Sequence, residues 1–265
     1  MRVTVVGSRG MAGHVVVKYL EQQRHTVTAV DRSILDIEQG NVDWFFETLD
    51  ADFVVNAIGL LVKDCNDRPD RAVTINSWWP QYCAYKLKHT STRLIHLSTD
   101  CVFDGKRGNY VESDKHTETN AYGRSKSFGE IDNNKDVTFR MSIIGPELKN
   151  GTGLLNWVTT NSSHELPGWD NAWWNGITTL QLAKCIDQHI TNPVVTGVYH
   201  LVNNHNQINK YDLLCKINAI YGLGKSIIRT QGPKTINKVL IDTRNEVDFT
   251  IPDYDVQLQQ LRDFT

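Results

Sequence analysis

Tyr122 and Lys126 stand four residues apart in YGRSK, a spacing that puts both side chains on one face of a helix. An ammonium beside a phenol favours the phenolate, so the tyrosine can give or take the proton of a hydroxyl while a hydride moves at the adjoining carbon. Thr99, in LSTD, ends an apolar run and offers a hydroxyl to the same oxygen. A Tyr-x-x-x-Lys string on its own is common on solvated helices. Its place after a glycine-rich turn and a strand-end Ser-Thr argues for chemistry instead.

That turn is GSRGMAG, with Gly7, Ser8, Arg9, Gly10, Met11 and Gly13 between the first apolar run and the first helical stretch. Glycines there let the backbone approach a pyrophosphate, and the free N–H groups of a helix start favour its charge. Asp31 ends the next strand, where a carboxylate bonds adenosine ribose hydroxyls and favours NAD. Arg32 and Arg9 are placed to take the 2′-phosphate of NADP instead, and the two alternatives stay open. Asp36 and Ile37 follow at a place suited to the adenine, although Asp36 reads equally as a helix N-cap. DFVVNAIG runs into Ala57, Ile58 and Gly59, small or apolar residues that leave room at a strand's carboxyl end.

The elements that must hold these residues alternate. Strands are expected at Arg2–Val6, Thr26–Val30, Asp52–Asn56, Arg93–Ser98 and Val137–Arg140, and helices at Met11–Gln23, near Val42–Leu49, and at Arg71–Leu87 and Ala121–Asn133. Such alternation implies an α/β fold, a Rossmann-type doubly wound parallel sheet. The beat breaks near Gly145, in segments rich in Gly, Asn and Trp. Residues 1–150 are therefore expected to form the dinucleotide-binding domain and 151–265 mainly a smaller α/β substrate domain. A helix from Thr179 to His189 is expected to pack back on the first domain, with GVYHLV as a strand, Lys210–Tyr221 as a helix and an amphipathic helix at the end.

The 265 residues are 40% apolar and 22% charged, which suits a globular chain, and the formal charge of −2 gives no field for nucleic acid or an anionic membrane. No run has the length of a membrane helix and no signal-peptide pattern opens the chain, so a cytoplasmic location is the simplest expectation. Five scattered cysteines, without a CxxC pair, imply reduced thiols and no metal site.

GSRGMAG, VVNAIG, LSTDCVFDGKRGNYVE, YGRSK, FRMSIIGPE and GVYHLV together resemble the dTDP-4-dehydrorhamnose reductase branch of the extended short-chain dehydrogenases. The match is most specific at LSTD-x-VFDG and YGRSK and weaker after residue 150. The resemblance implies reduction of a nucleoside-diphosphate 4-keto-6-deoxy sugar with NADP, or NAD, in deoxysugar biosynthesis. It makes Thr99, Tyr122 and Lys126 the catalytic trio, with Lys126 also reaching the nicotinamide ribose. Gly7, Gly10, Met11, Gly13, Asp36, Ile37, Ala57, Ile58 and Asn76 become cofactor-lining positions. The class admits a homodimer, and nothing in the sequence marks its surface.

Many relatives carry Tyr where this chain has Cys101. A cysteine there resembles the GDP-fucose synthases, which use it in epimerisation with a histidine that this chain replaces by Glu147 after Gly145-Pro146. An epimerase or bifunctional epimerase/reductase is one rival, and a non-catalytic dinucleotide-sensing subunit is another. Trp169 and Trp173 offer flat faces to a base or sugar, and Lys63 and Arg244 are candidate contacts for the substrate's diphosphate. His96 reads as a core histidine, and Trp78 and Trp79 as helix packing.

Overall fold

Short β-branched runs and intervening amphipathic helices build the first half of the chain. The computed structural model describes residues 1–265 except Asn41, Asn150, Asn245 and Asp248. The order begins β1 (Arg2–Val6), α1 (Gly13–Gln22), β2 (Thr26–Val30), α2 (Asp43–Glu47) and β3 (Phe53–Asn56). Helices α3 (Val62–Asp67) and α4 (Pro69–Ala72) lead through a π-helical turn, Val73–Trp78, into α5 (Trp79–Leu87). Strand β4 (Arg93–Leu97), helix α6 (Ala121–Gly129) and strand β5 (Val137–Arg140) complete the alternating part.

Beyond it come β6 (Ile143–Ile144), α7 (Leu154–Thr160), β7 (Glu165–Trp169), β8 (Ala172–Trp174) and β9 (Ile177–Thr178). Then follow α8 (Thr179–Thr191), β10 (Gly197–His200), β11 (Ile208–Asn209), α9 (Lys210–Ile220), β12 (Ser226–Thr230), β13 (Ile236–Asn237) and α10 (Tyr254–Phe264). The Trp-rich stretch is thus not irregular as its composition suggested. Leu166 and Gly168 alternate inward along β7, which pairs in parallel with β12.

Six parallel strands form the central sheet in the order β10-β5-β4-β3-β1-β2. The chain winds outward from β1 to β2 and then crosses back to β3 on the other side. This reversal puts the topological switch point, where ligands bind in open α/β sheets, at the carboxyl ends of β1 and β3. Helix α8 packs against α1 on one face, and α5 and the π-turn lie on the other. The larger core joins Val3, Val5, Val16, Phe139 and Ile186, and a second gathers Val54, Trp79, Leu87 and Leu94.

Helix α6 stops at Gly129, earlier than its helical pattern suggested, because Glu130 turns inward. Its carboxylate receives Arg140 Nε at 2.8 Å and Arg140 Nη2 at 2.5 Å, and Ser98 Oγ donates to it at 2.6 Å. Arg140 is 1% exposed, so the pair is a buried, bidentate tie between β5 and the end of α6. Among the described residues no helix is long and apolar enough to cross a membrane.

Candidate active site

Two cavities open along the carboxyl ends of the sheet. The first, about 260 Å³, lies at the switch point and is lined by Gly7, Gly10, Asp36, Ile37, Ala57 and Gly59 among others. Gly7 has φ +81°, and a Cβ there would sit 2.9 Å from the Ala57–Ile58 backbone. A Cβ on Gly13 would lie 2.1 Å from Gly7 O, so only glycine lets the helix start meet the loop. The main chain of β1 and that of β3 therefore come close enough to form one wall. A loop of this shape, opening on a cavity at the switch point, fits a dinucleotide.

Several of the expected cofactor residues surround this cavity. Arg9, Asp31, Arg32 and Ile58 line it too. Asp31 accepts from Ser33 N at 2.9 Å and Ser33 Oγ at 2.6 Å, and those bonds, with Arg9 at 3.4 Å, hold its carboxyl below the usual range. Asp36 caps a turn by accepting from Glu38 N at 3.0 Å rather than starting a helix, and it pairs with Arg32 at 3.1 Å. Met11 is half-buried and faces Gly153.

Two expected contacts have other work. Ser8 is buried, and its N–H and that of Gly7 both donate to Val30 O, which ties the loop to β2 and leaves neither amide for a ligand. Asn76 is 1% exposed, accepts from Leu60 N at 2.8 Å and donates to Leu60 O at 3.2 Å and to Ser125 Oγ at 3.1 Å. It acts on the cavity through Leu60, which lines it. The π-turn that carries Asn76 lies close on α6, since a Cβ on Gly129 would be 1.9 Å from Asn76 O.

Sequence reasoning missed Arg71 and Glu38 in this wall. Arg71 Nε and Nη2 donate to the Glu38 carboxylate at 2.5 and 2.7 Å, and Arg32 joins them at 3.1 Å. Nothing local marks that pair, because its members are 33 residues apart.

Of the expected trio, Tyr122 and Lys126 lie one turn apart on α6, and Thr99 follows the end of β4. Thr99 lies beside the Tyr122 phenol, and its hydroxyl donates to Asp100 Oδ1 at 3.2 Å and accepts from Cys101 N at 3.1 Å. Lys126 is buried, and Nζ donates to Leu97 O at 2.6 Å, at the end of β4. Burial lowers its ammonium to about 8, against the opposing pull of Glu130. The phenol is pushed above its ordinary value, chiefly by burial and then by Cys101. This runs opposite to the expected lowering: burial keeps the Tyr122 phenol protonated. Its neighbours are Cys65, whose thiol donates to Leu60 O at 3.5 Å, and Cys101, which lines the second cavity.

That second cavity, about 290 Å³, is lined by Asp100, Cys101, Trp173, Trp174, Lys210 and Lys238 among others. Trp173 is 37% exposed, and Trp174 stacks on Tyr254. Trp169 stands behind the wall, with Lys210 Nζ 4.6 Å from its ring centroid. Cys101 is held close to Lys238, not Glu147, whose carboxylate instead accepts from Gly153 N at 2.7 Å. The two lysines were not foreseen, since they lie far along the chain in segments without a recognisable motif.

One substrate candidate, Arg244, falls away. Arg244 donates to Thr196 O at 2.5 Å and Val198 O at 2.9 Å, at the amino end of β10 and so at the opposite end of the sheet from the cavities. Lys63 is solvent-exposed on α3 and pairs with Asp67 at 3.1 Å. His96 is fully buried, with Nδ1 3.0 Å from Asn56 Nδ2, and burial holds its pKa well below the ordinary value, as a core histidine requires.

The profile described as RmlD substrate binding domain matches residues 1–237. The chain belongs to that family. Among its relatives, the RmlD-family chain is 28% identical to the spore coat polysaccharide biosynthesis protein SpsK of Bacillus subtilis, over 89% of this chain and 85% of that one. It is 33% identical to a dTDP-4-dehydrorhamnose reductase of Aggregatibacter actinomycetemcomitans, over 49% of this chain and 45% of the reductase. It is also 25% identical to methionine adenosyltransferase 2 subunit beta of Mus musculus, over 86% of this chain and 74% of that one. The fold matches a dTDP-4-dehydrorhamnose reductase from Bacillus anthracis, solved in complex with NADP, at a TM-score of 0.84 and 18% identity, covering 100% of this chain and 99% of that one. The resemblance read from the motifs is thereby borne out for family and fold.

Proposed function

We propose that this RmlD-family protein is an NAD(P)H-dependent reductase of a nucleoside-diphosphate 4-keto-6-deoxy sugar, with NADP as the main cofactor and NAD as an alternative. The observation that carries the reading is the glycine-walled cavity at the switch point, lined by Gly7, Gly10, Ala57 and Gly59, with Tyr122 and Lys126 one turn apart on α6 and Lys126 Nζ bonded to Leu97 O at the end of β4. A keto oxygen beside Tyr122 takes a proton from it and a hydrogen bond from Thr99. Lys126 anchors the helix to Leu97 and keeps a positive charge beneath the site. The dinucleotide, when bound along Gly7, Gly10, Ala57 and Gly59, supplies the hydride.

Arg9, Arg32 and Arg71 at the adenosine end are paired with Asp31, Asp36 and Glu38, so the preference for NADP leans on the structural relative solved with NADP. The sugar nucleotide occupies the second cavity, walled by residues of the segment after 150, while α8 and β10 return to the central sheet. The protein works as a homodimer in the cytoplasm on this reading.

The test is oxidation of NADPH and NADH at 340 nm with dTDP-, UDP-, GDP- and CDP-linked 4-keto-6-deoxy sugars made in situ. Turnover with one of them is expected. Silence across the panel, with cofactor bound, overturns the reading. Similarity to the methionine adenosyltransferase subunit over most of the chain favours a dinucleotide-sensing subunit as the second reading. Silence with tight dinucleotide binding would then select it.

A further inference from the structure

We propose that Lys210 is the residue that receives the phosphate charge of the substrate in the second cavity. The claim rests on the nucleotide-sugar reading above and gives it a specific cation. Lys210 is the first residue of α9, half-buried, with its ammonium 4.6 Å from the Trp169 ring centroid and 5.9 Å from that of Trp157. It has no hydrogen bond or ion pair to any anion among the described residues.

Its neighbours show how unusual this is. Lys238, in the same cavity, faces Glu118 at 3.6 Å and the carboxylate of Asp100. Arg32 and Arg71, in the dinucleotide cavity, both meet Glu38. Lys210 alone of these four cations lines its cavity with no carboxylate against it. Burial already lowers its pKa, as expected of a charge without compensation. Aromatic faces offset part of that cost but leave the ammonium's donors free for an anion.

The position suits a substrate that reaches Tyr122 at one end. Cys101, beside Tyr122, and Lys210 line one continuous space of about 290 Å³. A sugar whose keto group meets Tyr122 then carries its phosphates toward Lys210, with Trp173 at the rim for the base.

The test is calorimetric titration of dTDP, UDP, GDP and CDP, and of their nucleosides, into the full chain saturated with NADPH. Lys210→Met keeps the aliphatic stem over Trp169 and removes only the charge. It is expected to weaken the diphosphate that the unmodified protein binds by about 10- to 100-fold, the range for a charged hydrogen bond, and to leave its nucleoside unchanged. Lys210→Arg is expected to stay within about 3-fold of the unmodified protein, since it restores the charge. NADPH affinity reports folding of each variant, and Lys210→Gln, which also removes the charge, carries the comparison if the methionine variant fails to fold. Equal diphosphate binding in Lys210→Met, or an equal loss for the nucleoside, overturns the Lys210 assignment alone. Failure of all four diphosphates to bind the unmodified protein overturns both this assignment and the nucleotide-sugar reading.

Discussion

Lys126 Nζ donates to the main-chain oxygen of Leu97 across 2.6 Å, with both residues buried. The bond fixes where the helix of Tyr122 meets the end of β4, and it needs an ammonium or amine whose proton points at the carbonyl. Burial holds the Lys126 pKa at about 8. The catalytic charge is then present below that value and lost above it, so kcat/KM for reduction should fall by about tenfold per pH unit above pH ~8. Tyr122, pushed upward, contributes no second limb within the range. Stability runs the other way. Between the folded value and an unfolded value of about 10.4 the unfolded chain binds the extra proton, so this group makes the fold more stable as pH rises. A pH–rate profile flat across pH 7 to 10 would sink the assignment.

Tyr122→Phe removes the proton donor and leaves the ring in place. Turnover should drop by about 10²- to 10⁴-fold, while NADPH affinity stays within about 3-fold, because the dinucleotide wall is made by other residues. Single-turnover kinetics with saturating cofactor measure this directly. Retained turnover would remove Tyr122 from the mechanism.

The glycine loop predicts a graded pair of effects. A Cβ at position 13 would lie 2.1 Å from Gly7 O, whereas at position 10 the same atom is 3.3 Å away. Gly13→Ala must shift the loop, which costs about 1–3 kcal/mol and should lower Tm by about 2–10 °C along with dinucleotide affinity. Gly10→Ala should weaken the dinucleotide with little change in Tm. Thermal melts and NADPH titrations of both variants distinguish the two positions.

Much of this site was legible in the chain because its signals are local. Tyr122 and Lys126 share a helical face by spacing alone, and the three glycines of the loop sit where a strand must turn into a helix. Arg71 with Glu38 and Cys101 with Lys238 could not be read this way, since tertiary packing alone joins them. Arg244 misled for the same reason: an arginine's position in a tail says nothing about which end of the sheet it reaches. The early end of α6 was hidden because an inward-turned Glu130 looks like one more polar residue on a helix. The raised phenol of Tyr122 depends on burial among Cys65, Asp100 and Cys101, which no spacing encodes.

The Glu130–Arg140 pair supports the site from behind, through Ser98 next to Thr99. Removing one partner leaves a buried charge without compensation and costs about 3–5 kcal/mol, whereas removing both costs less. Glu130→Leu alone should lower Tm by about 6–20 °C, and the double variant with Arg140→Met should recover part of that loss. Burial opposes the Glu130 carboxylate, yet bonds and charge from Arg140 still hold it below its ordinary value. The stability it contributes is present above its unfolded pKa and is lost as pH falls through the folded one. A double variant less stable than either single one would refute this account.

Cys101 decides between reduction and the epimerising rival. Burial pushes its thiol up to about 12, and Asp100 pushes in the same direction, outweighing Lys238 and the hydrogen bond from Thr99. A thiol so placed stays protonated at neutral pH and cannot remove a ring proton as thiolate. Alkylation of Cys101 at pH 7.5 should therefore be far slower than that of free cysteine. Cys101→Ala should keep turnover within about threefold, since the proposed reduction passes through Tyr122 and Thr99. Mass spectrometry of sugar product formed in deuterated water completes the test: deuterium on a ring carbon, lost in Cys101→Ala, would establish epimerisation through Cys101 and overturn this account.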